Sequence, residues 1–113
     1  MGAEARLAEL KLELPTAPKP VATYVTAMRG CDMLYVSGHG PAKLTDKTPV
    51  VGKLGDTLNT EQGKEAARAV GMNVLATVKA KLGTLNKIKR LVKTLGMVNC
   101  TPDYKEQTQV ING

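Results

Sequence analysis

Met33-Leu-Tyr-Val-Ser-Gly-His-Gly-Pro41 is the stretch on which the reading of this chain turns. Leu34 and Val36 alternate with Tyr35 and Ser37, the period of two that a pleated strand requires. Gly38 and Gly40 bracket His39, and Pro41, with no N–H to give to a ladder, ends the pairing. A strand over 33–39 that runs into Ser-Gly-His-Gly brings a hydroxyl, an imidazole and backbone amides to a sheet edge. Small-molecule sites are built from a few polar groups on such an apolar frame. Many ordinary strand ends carry the same residues, so the stretch predicts a strand end and does no more than nominate a site.

On its N-terminal side, the β-branched residues Val21, Thr23, Val25 and Thr26 predict a strand over 21–28. Arg29-Gly30-Cys31-Asp32 supplies turn chemistry, which makes the two strands a β-hairpin. Pro15, Pro18 and Pro20 impose an extended connector ahead of it. Residues 3–13 read as a helix that docks by one stripe, Leu7, Leu10 and Leu14.

On the C-terminal side, residues 41–58 form a polar, lysine-bearing loop in which Val50 and Val51 are placed for a short edge strand. Asn59 and Gln62 stand at capping-box spacing, and Ala67, Val70, Val74, Leu75, Val78 and Leu82 then share one face. Gly83 sits where a left-handed C-terminal glycine belongs, and Lys79 and Lys81 suit the negative end of the dipole. The spacing predicts a helix over 60–82. A turn over 84–87 leads into a long strand over 88–99 with apolar residues on both faces. Ile88, Val92 and Val98 lie on one face, and Leu91, Leu95 and Met97 on the other. A strand covered on both sides needs a helix on one and something else on the second, which in a chain this small is a partner subunit. A further polar–apolar segment begins at Pro102.

Composition narrows the function classes. The 113 residues suffice for one domain. The 42% hydrophobic and 23% charged content is globular. Tyrosine supplies all the aromatic side chains, 3% of the total, which removes the usual stacking platform for single-stranded nucleic acid. A net charge of +6 suits anionic partners without requiring one. Cys31 and Cys100 have no metal-type spacing and read as reduced thiols of an intracellular protein. With one histidine and no His- or Cys-based motif, neither a metal site nor a cofactor is expected. Charges at Glu4, Arg6, Glu9, Lys11 and Glu13 interrupt any signal-like run, and no stretch approaches the roughly 20 apolar residues of a membrane span. A cytoplasmic location with no membrane partner follows as the expectation.

Two constellations compete with bland readings. Ser37 and His39 project to one side of a strand, but nothing marks a third group to orient a nucleophile and its base. His39 reads better as a ligand contact or a loop-packing residue. Lys79, Lys81, Lys87, Lys89, Arg90 and Lys93 crowd one helix end and the segment after it, where RNA phosphates would be neutralised. No RNA-binding signature accompanies them, and a solvated basic face is the simpler reading.

Taken in order, Ala22-Thr23-Tyr24-Val25, Leu34 to Pro41, Gly52-Lys53-Leu54-Gly55, Glu65-Ala66-Ala67-Arg68 and Val92-Lys93-Thr94-Leu95-Gly96-Met97-Val98-Asn99 resemble the reactive-intermediate deaminase (Rid, or YjgF-like) family. The similarity covers nearly the whole chain and is greatest to a subgroup with an extra N-terminal helix like residues 3–13. It implies an α+β, chorismate-mutase-like (ferredoxin-like-related) fold: a mixed β-sheet backed by helices in a single domain, assembled as a homotrimer with clefts between subunits. It also implies hydrolysis of enamines and imines of 2-keto acids to the keto acid and ammonia. Some members carry the labels L-PSP endoribonuclease or translation inhibitor. That leaves RNA, or ligand binding without turnover, as the alternatives. By position, the resemblance makes Tyr24, Ser37, Gly38, His39 and Asn99 ligand-binding residues, with His39 departing from the glutamine often found there. It assigns no catalytic residue. The family's substrate-binding arginine lies beyond the position equivalent to Gly113, and Arg6, Arg29, Arg68 and Arg90 match none of its places. A C-terminal helix and two strands of the family pattern are likewise expected to be missing, as in a shortened frame or a fragment. Little deaminase activity is the consequence, because a guanidinium holds a carboxylate in two-pronged fashion.

Overall fold

The computed structural model describes every residue except Met1, Leu44, Thr45 and Lys47. The predicted 41–58 loop therefore falls partly outside the described residues. The fold is α+β. In chain order the elements are helix α1 (Ala3–Glu9), strands β1 (Ala27–Gly30) and β2 (Met33–Val36), helix α2 (Thr60–Leu82), a 3-10 turn (Leu85–Lys87) and helix α3 (Gln107–Ile111). The chain forms two compact units, residues 1–39 with 72–92 and residues 40–71 with 93–113, so α2 contributes to both.

In the first unit, β1 and β2 pair antiparallel in the register Ala27–Val36 to Gly30–Met33. The strands are shorter than their patterns predict. Residues 21–26 bend instead of extending, and Val21 is 94% exposed, because a β-branched run makes a strand only where another segment takes its hydrogen bonds. The turn also shifts. Gly30 stays in the ladder opposite Met33, and Cys31 takes the left-handed backbone (φ 53°). Beneath the hairpin the second half of α2 buries Met72, Asn73, Ala76, Thr77 and Val78, with Ala27 and the 1%-exposed Leu85 completing the core. This face is rotated from the predicted stripe. Val74, Leu75 and Leu82 are half-buried, while the polar Asn73 and Thr77 are inside because they are hydrogen-bonded.

Helix α1 stops at Glu9, short of the predicted 13. Lys11 adopts φ 54°, its N–H bonds to the Ala8 carbonyl, and the Leu12 N–H reaches back to Leu7, which together form a Schellman ending without the usual glycine. The helix is held at its first turn. The Glu4 carboxylate accepts from the Leu85 N–H (3.0 Å), the Thr84 hydroxyl (3.3 Å) and Lys79 Nζ (3.0 Å), and the Glu4 N–H donates to Asn86 Oδ1 (3.0 Å).

In the second unit, α2 begins as predicted, with a reciprocal capping box: Asn59 Oδ1 accepts from the Gln62 N–H and Gln62 Oε1 from the Asn59 N–H. At Gly63 an added Cβ would lie 2.7 Å from Leu54 Cδ1 and 3.0 Å from Val110 Cγ2, so the bare backbone is what lets these two side chains close on the helix. Leu54, Ala69 and Val110 form this unit's core. Val50 and Val51 make no edge strand. Pairing there is the single bridge Ala42–Pro49, and Leu54 bridges in parallel to Leu58 and Cys100.

The predicted strand over 88–99 does not form. Among the described residues its backbone makes ladder-type bonds only at its end, where the Asn99 carbonyl accepts from Leu54. Its apolar side chains are exposed, Leu91 to 80% and Met97 to 87%. Apolar residues alternate along the segment, but among the described residues no neighbouring strand supplies the ladder. The segment after Pro102 ends in α3, with Val110 turned inward.

The Glu4 contacts have a pH signature. The Leu85 N–H, then Lys79, hold the Glu4 carboxyl below its usual 4.5. A lowered native-state value gives a contribution that is complete above about 4.5 and lost as pH falls through that lowered value. Thermal melts between pH 3 and 7 are expected to lose stability on the acid side less steeply in Glu4→Gln than in the parent chain. Some slope persists from Asp46, which the Thr48 N–H lowers in the same sense.

Candidate functional site

The hairpin runs one hydrogen bond past β2, from the Ser37 N–H to the Thr26 carbonyl (3.0 Å), and then the chain leaves the sheet. Ser37 turns its hydroxyl back onto the Val25 carbonyl. His39 swings toward α2, where its Nε2 lies 2.8 Å from the Thr77 hydroxyl, and its Nδ1 lies 2.8 Å from the Ser37 carbonyl. A carbonyl only accepts, so Nδ1 carries the proton of the neutral ring, and Nε2 accepts from Thr77. The lone pair that a general base needs is thus occupied by a hydroxyl that is itself buried at 3% exposure.

This geometry decides between the readings of the Ser37–His39 pair. Imidazole and hydroxyl are not joined. His39 bonds to the serine's backbone, and the serine hydroxyl is spent on Val25. A serine nucleophile has no base here. The His39 side chain clasps the strand end to α2.

The clasp leaves an open backbone. Among the described residues the N–H groups of Gly38, His39 and Gly40 make no hydrogen bond, and nothing stands within 4 Å of where a Cβ would sit on Gly38 or Gly40. Tyr24, in the same unit, is 41% exposed and its hydroxyl has no partner among the described residues. Asn99 belongs to the other unit, where its Nδ2 donates to the Gly52 carbonyl (2.9 Å) and secures the Gly52–Gly55 turn. The structure therefore groups Tyr24, Ser37, Gly38 and His39 in one unit and gives Asn99 a separate role in the other. Thr77 is the site residue that sequence reasoning passed over. A threonine on an otherwise apolar helical face, spaced from no partner in sequence, was the only signal.

Both cysteines are free. No group of three or more His, Cys, Asp or Glu side chains arranged to hold a metal occurs among the described residues, and no helix there is long and apolar enough to cross a membrane. The basic cluster is partly committed: Lys79 pairs with Glu4, and Lys87 Nζ donates to the Leu82 carbonyl at the end of α2 (2.9 Å).

No family model matches the chain. It is 37% identical over 109 residues to protein TCP17 of Trypanosoma cruzi, which spans 96% of this chain and 68% of that protein. Its fold is similar to that of Atu1372 from Agrobacterium tumefaciens, a protein of unknown function, with a TM-score of 0.81 and 37% identity over 96% of this chain. The chain spans 65% of the length of that Agrobacterium protein. It is also similar to a "putative endoribonuclease" from Shewanella oneidensis, with a TM-score of 0.90 and 25% identity, covering 99% of this chain and 74% of the other.

The clasp is open to a direct test. Thr77→Val removes the partner of His39 Nε2 inside the first unit's core. It is expected to cost roughly 1–2 kcal/mol by chemical denaturation. In long-range proton–nitrogen spectra the Nδ1-protonated tautomer is expected in both, because the Ser37 carbonyl is kept, with the Nε2 resonance moved in the variant by loss of the Thr77 bond.

Proposed function

As this chain belongs to the family of the Trypanosoma cruzi protein TCP17, with which it shares a third of its residues, we propose that it binds small 2-imino or 2-keto acids at the 37–40 strand end, as members of the reactive-intermediate deaminase family do. The carrying observation is that the N–H groups of Gly38 and His39 make no hydrogen bond among the described residues, with open space where a Cβ would sit on Gly38. A carboxylate accepts two or three such donors, and Tyr24, with its free hydroxyl in the same unit, suits the imine or keto group.

Hydrolysis of an imine needs water activated and a proton moved. The nearest imidazole has no free lone pair, since Thr77 fills it, and none of the four arginines stands at the place the family uses. Within residues 1–113 this reading assigns to the strand end the binding and orientation of the acid. A homotrimer with a neighbouring copy over the exposed Leu95 and Met97 fits this reading. It predicts a light-scattering mass three times the 12.0 kDa of one chain.

RNA is the second reading. The Shewanella neighbour's description, the 62%-exposed Tyr35 ring and the cations Lys81, Lys89 and Arg90, which are in no ion pair among the described residues, favour it. Against it, Lys79 and Lys87 are tied up in the fold.

Titration with 2-ketobutyrate, followed by amide spectra, separates the two. Saturable shifts at Gly38, His39 and Gly40 are expected, with ammonia release from 2-iminopropanoate no faster than in buffer. Absence of shifts, together with RNA cleavage that falls on Lys89→Ala and Arg90→Ala, would transfer the assignment to RNA. Accelerated ammonia release would show that turnover accompanies binding.

A further inference from the structure

The N-terminal segment of the first unit is attached in an unusual way. Every hydrogen bond from residues 2–17 to the rest of the unit, among those described, leaves from Glu4: three into its carboxylate from Lys79, Thr84 and Leu85, and one from its N–H to Asn86. Beyond Glu4, the bonds made by this segment are internal, such as Arg6 to Glu9 and Leu12 to Leu7. The apolar side does not compensate. No residue of α1 is fully buried, and Leu7, Leu12 and Leu14 line an open groove of about 590 Å³ against Ala76 and Ala80 of α2. After the Schellman ending the connector has no regular structure as far as β1, and its prolines have no N–H with which to tie it down.

From this asymmetry we propose that residues 2–17 form a releasable strap, latched by the Glu4 carboxylate and able to lift from α2 while the hairpin and the helix beneath it stay folded. Lifting uncovers Ala76 and removes the acceptor of the Leu85 N–H. A segment with few buried contacts and one polar anchor belongs at the low end of local opening free energies. The charges around the latch set its strength. Lys79 is the cation that faces Glu4 from α2, Arg6 and Glu9 satisfy one another on α1, Lys87 is turned to the Leu82 carbonyl, and Glu13 lines the groove without an ion pair among the described residues. Neutralising Glu4 leaves Lys79 without its partner and weakens each bond the carboxylate accepts.

The full chain and two variants, Glu4→Gln and Asn86→Ala, are compared by limited trypsin digestion and by native-state hydrogen exchange. Both variants are expected to be cut after Lys11 about tenfold faster than the parent. The Ser37 N–H, bonded to Thr26 in the hairpin, is expected to exchange at an unchanged rate in all three. Unchanged cleavage in both variants would overturn the proposal, because the strap would then be held by its leucines. Equal acceleration of cleavage and of Ser37 exchange would also overturn it, because opening would then be global.

Discussion

Both units depend on how closely other segments approach one 23-residue helix, and its small side chains set that distance. The chain has no phenylalanine or tryptophan with which to fill a core. The helix answers by presenting little of its own. Gly63 admits Leu54 and Val110 to the backbone itself, Ala69 lies in the same unit's core, and Ala76 lies in the other's. Close approach restores the dispersion contacts that large rings would otherwise supply. It also makes each buried position sensitive to added volume, since an added methyl at Gly63 has no room to relax.

The same economy explains why polar groups are inside. Asn73 and Thr77 are each 3% exposed on the buried face of α2, a place a hydropathy pattern assigns to Val70 and Val74. A buried hydroxyl is tolerated when it is bonded, and here it specifies which imidazole nitrogen meets the helix. An apolar residue at 77 would pack but would leave the His39 ring held by the Ser37 carbonyl alone. The interaction therefore contributes uniqueness to the strand end along with stability.

Features set within a few residues were legible in the sequence. The capping box at Asn59 and Gln62 and the left-handed Gly83 (φ 84°) fix α2 to the residue, because their partners lie three or four positions away. The hairpin was legible as a hairpin, though its left-handed residue is Cys31 in place of Gly30. The run over 88–99 was not legible, because a strand is a relation between two segments and the second cannot be read from the first. The end of α1 was obscured for a different reason, since Lys11 takes a conformation that only glycine announces. At the site, spacing placed Ser37 and His39 on one side but could not choose between the serine hydroxyl and its carbonyl, and that choice separates a nucleophile from a clasp.

The clasp and the end of the ladder go together: drawing the imidazole down onto Thr77 leaves the Ser37–Thr26 bond as the last rung. Only alternate amides face a partner strand, so of the unbonded N–H groups that follow, that of His39 loses a rung while those of Gly38 and Gly40 would point away from β1 in either case. Water satisfies them at little cost on an exposed turn. In the proposed binding mode a carboxylate would displace that water and gain charge-assisted bonds in its stead. The glycines on either side keep the approach unobstructed. The proposed reading thus asks the strand end for recognition alone, because the contact with Thr77 occupies the His39 nitrogen that a base would need.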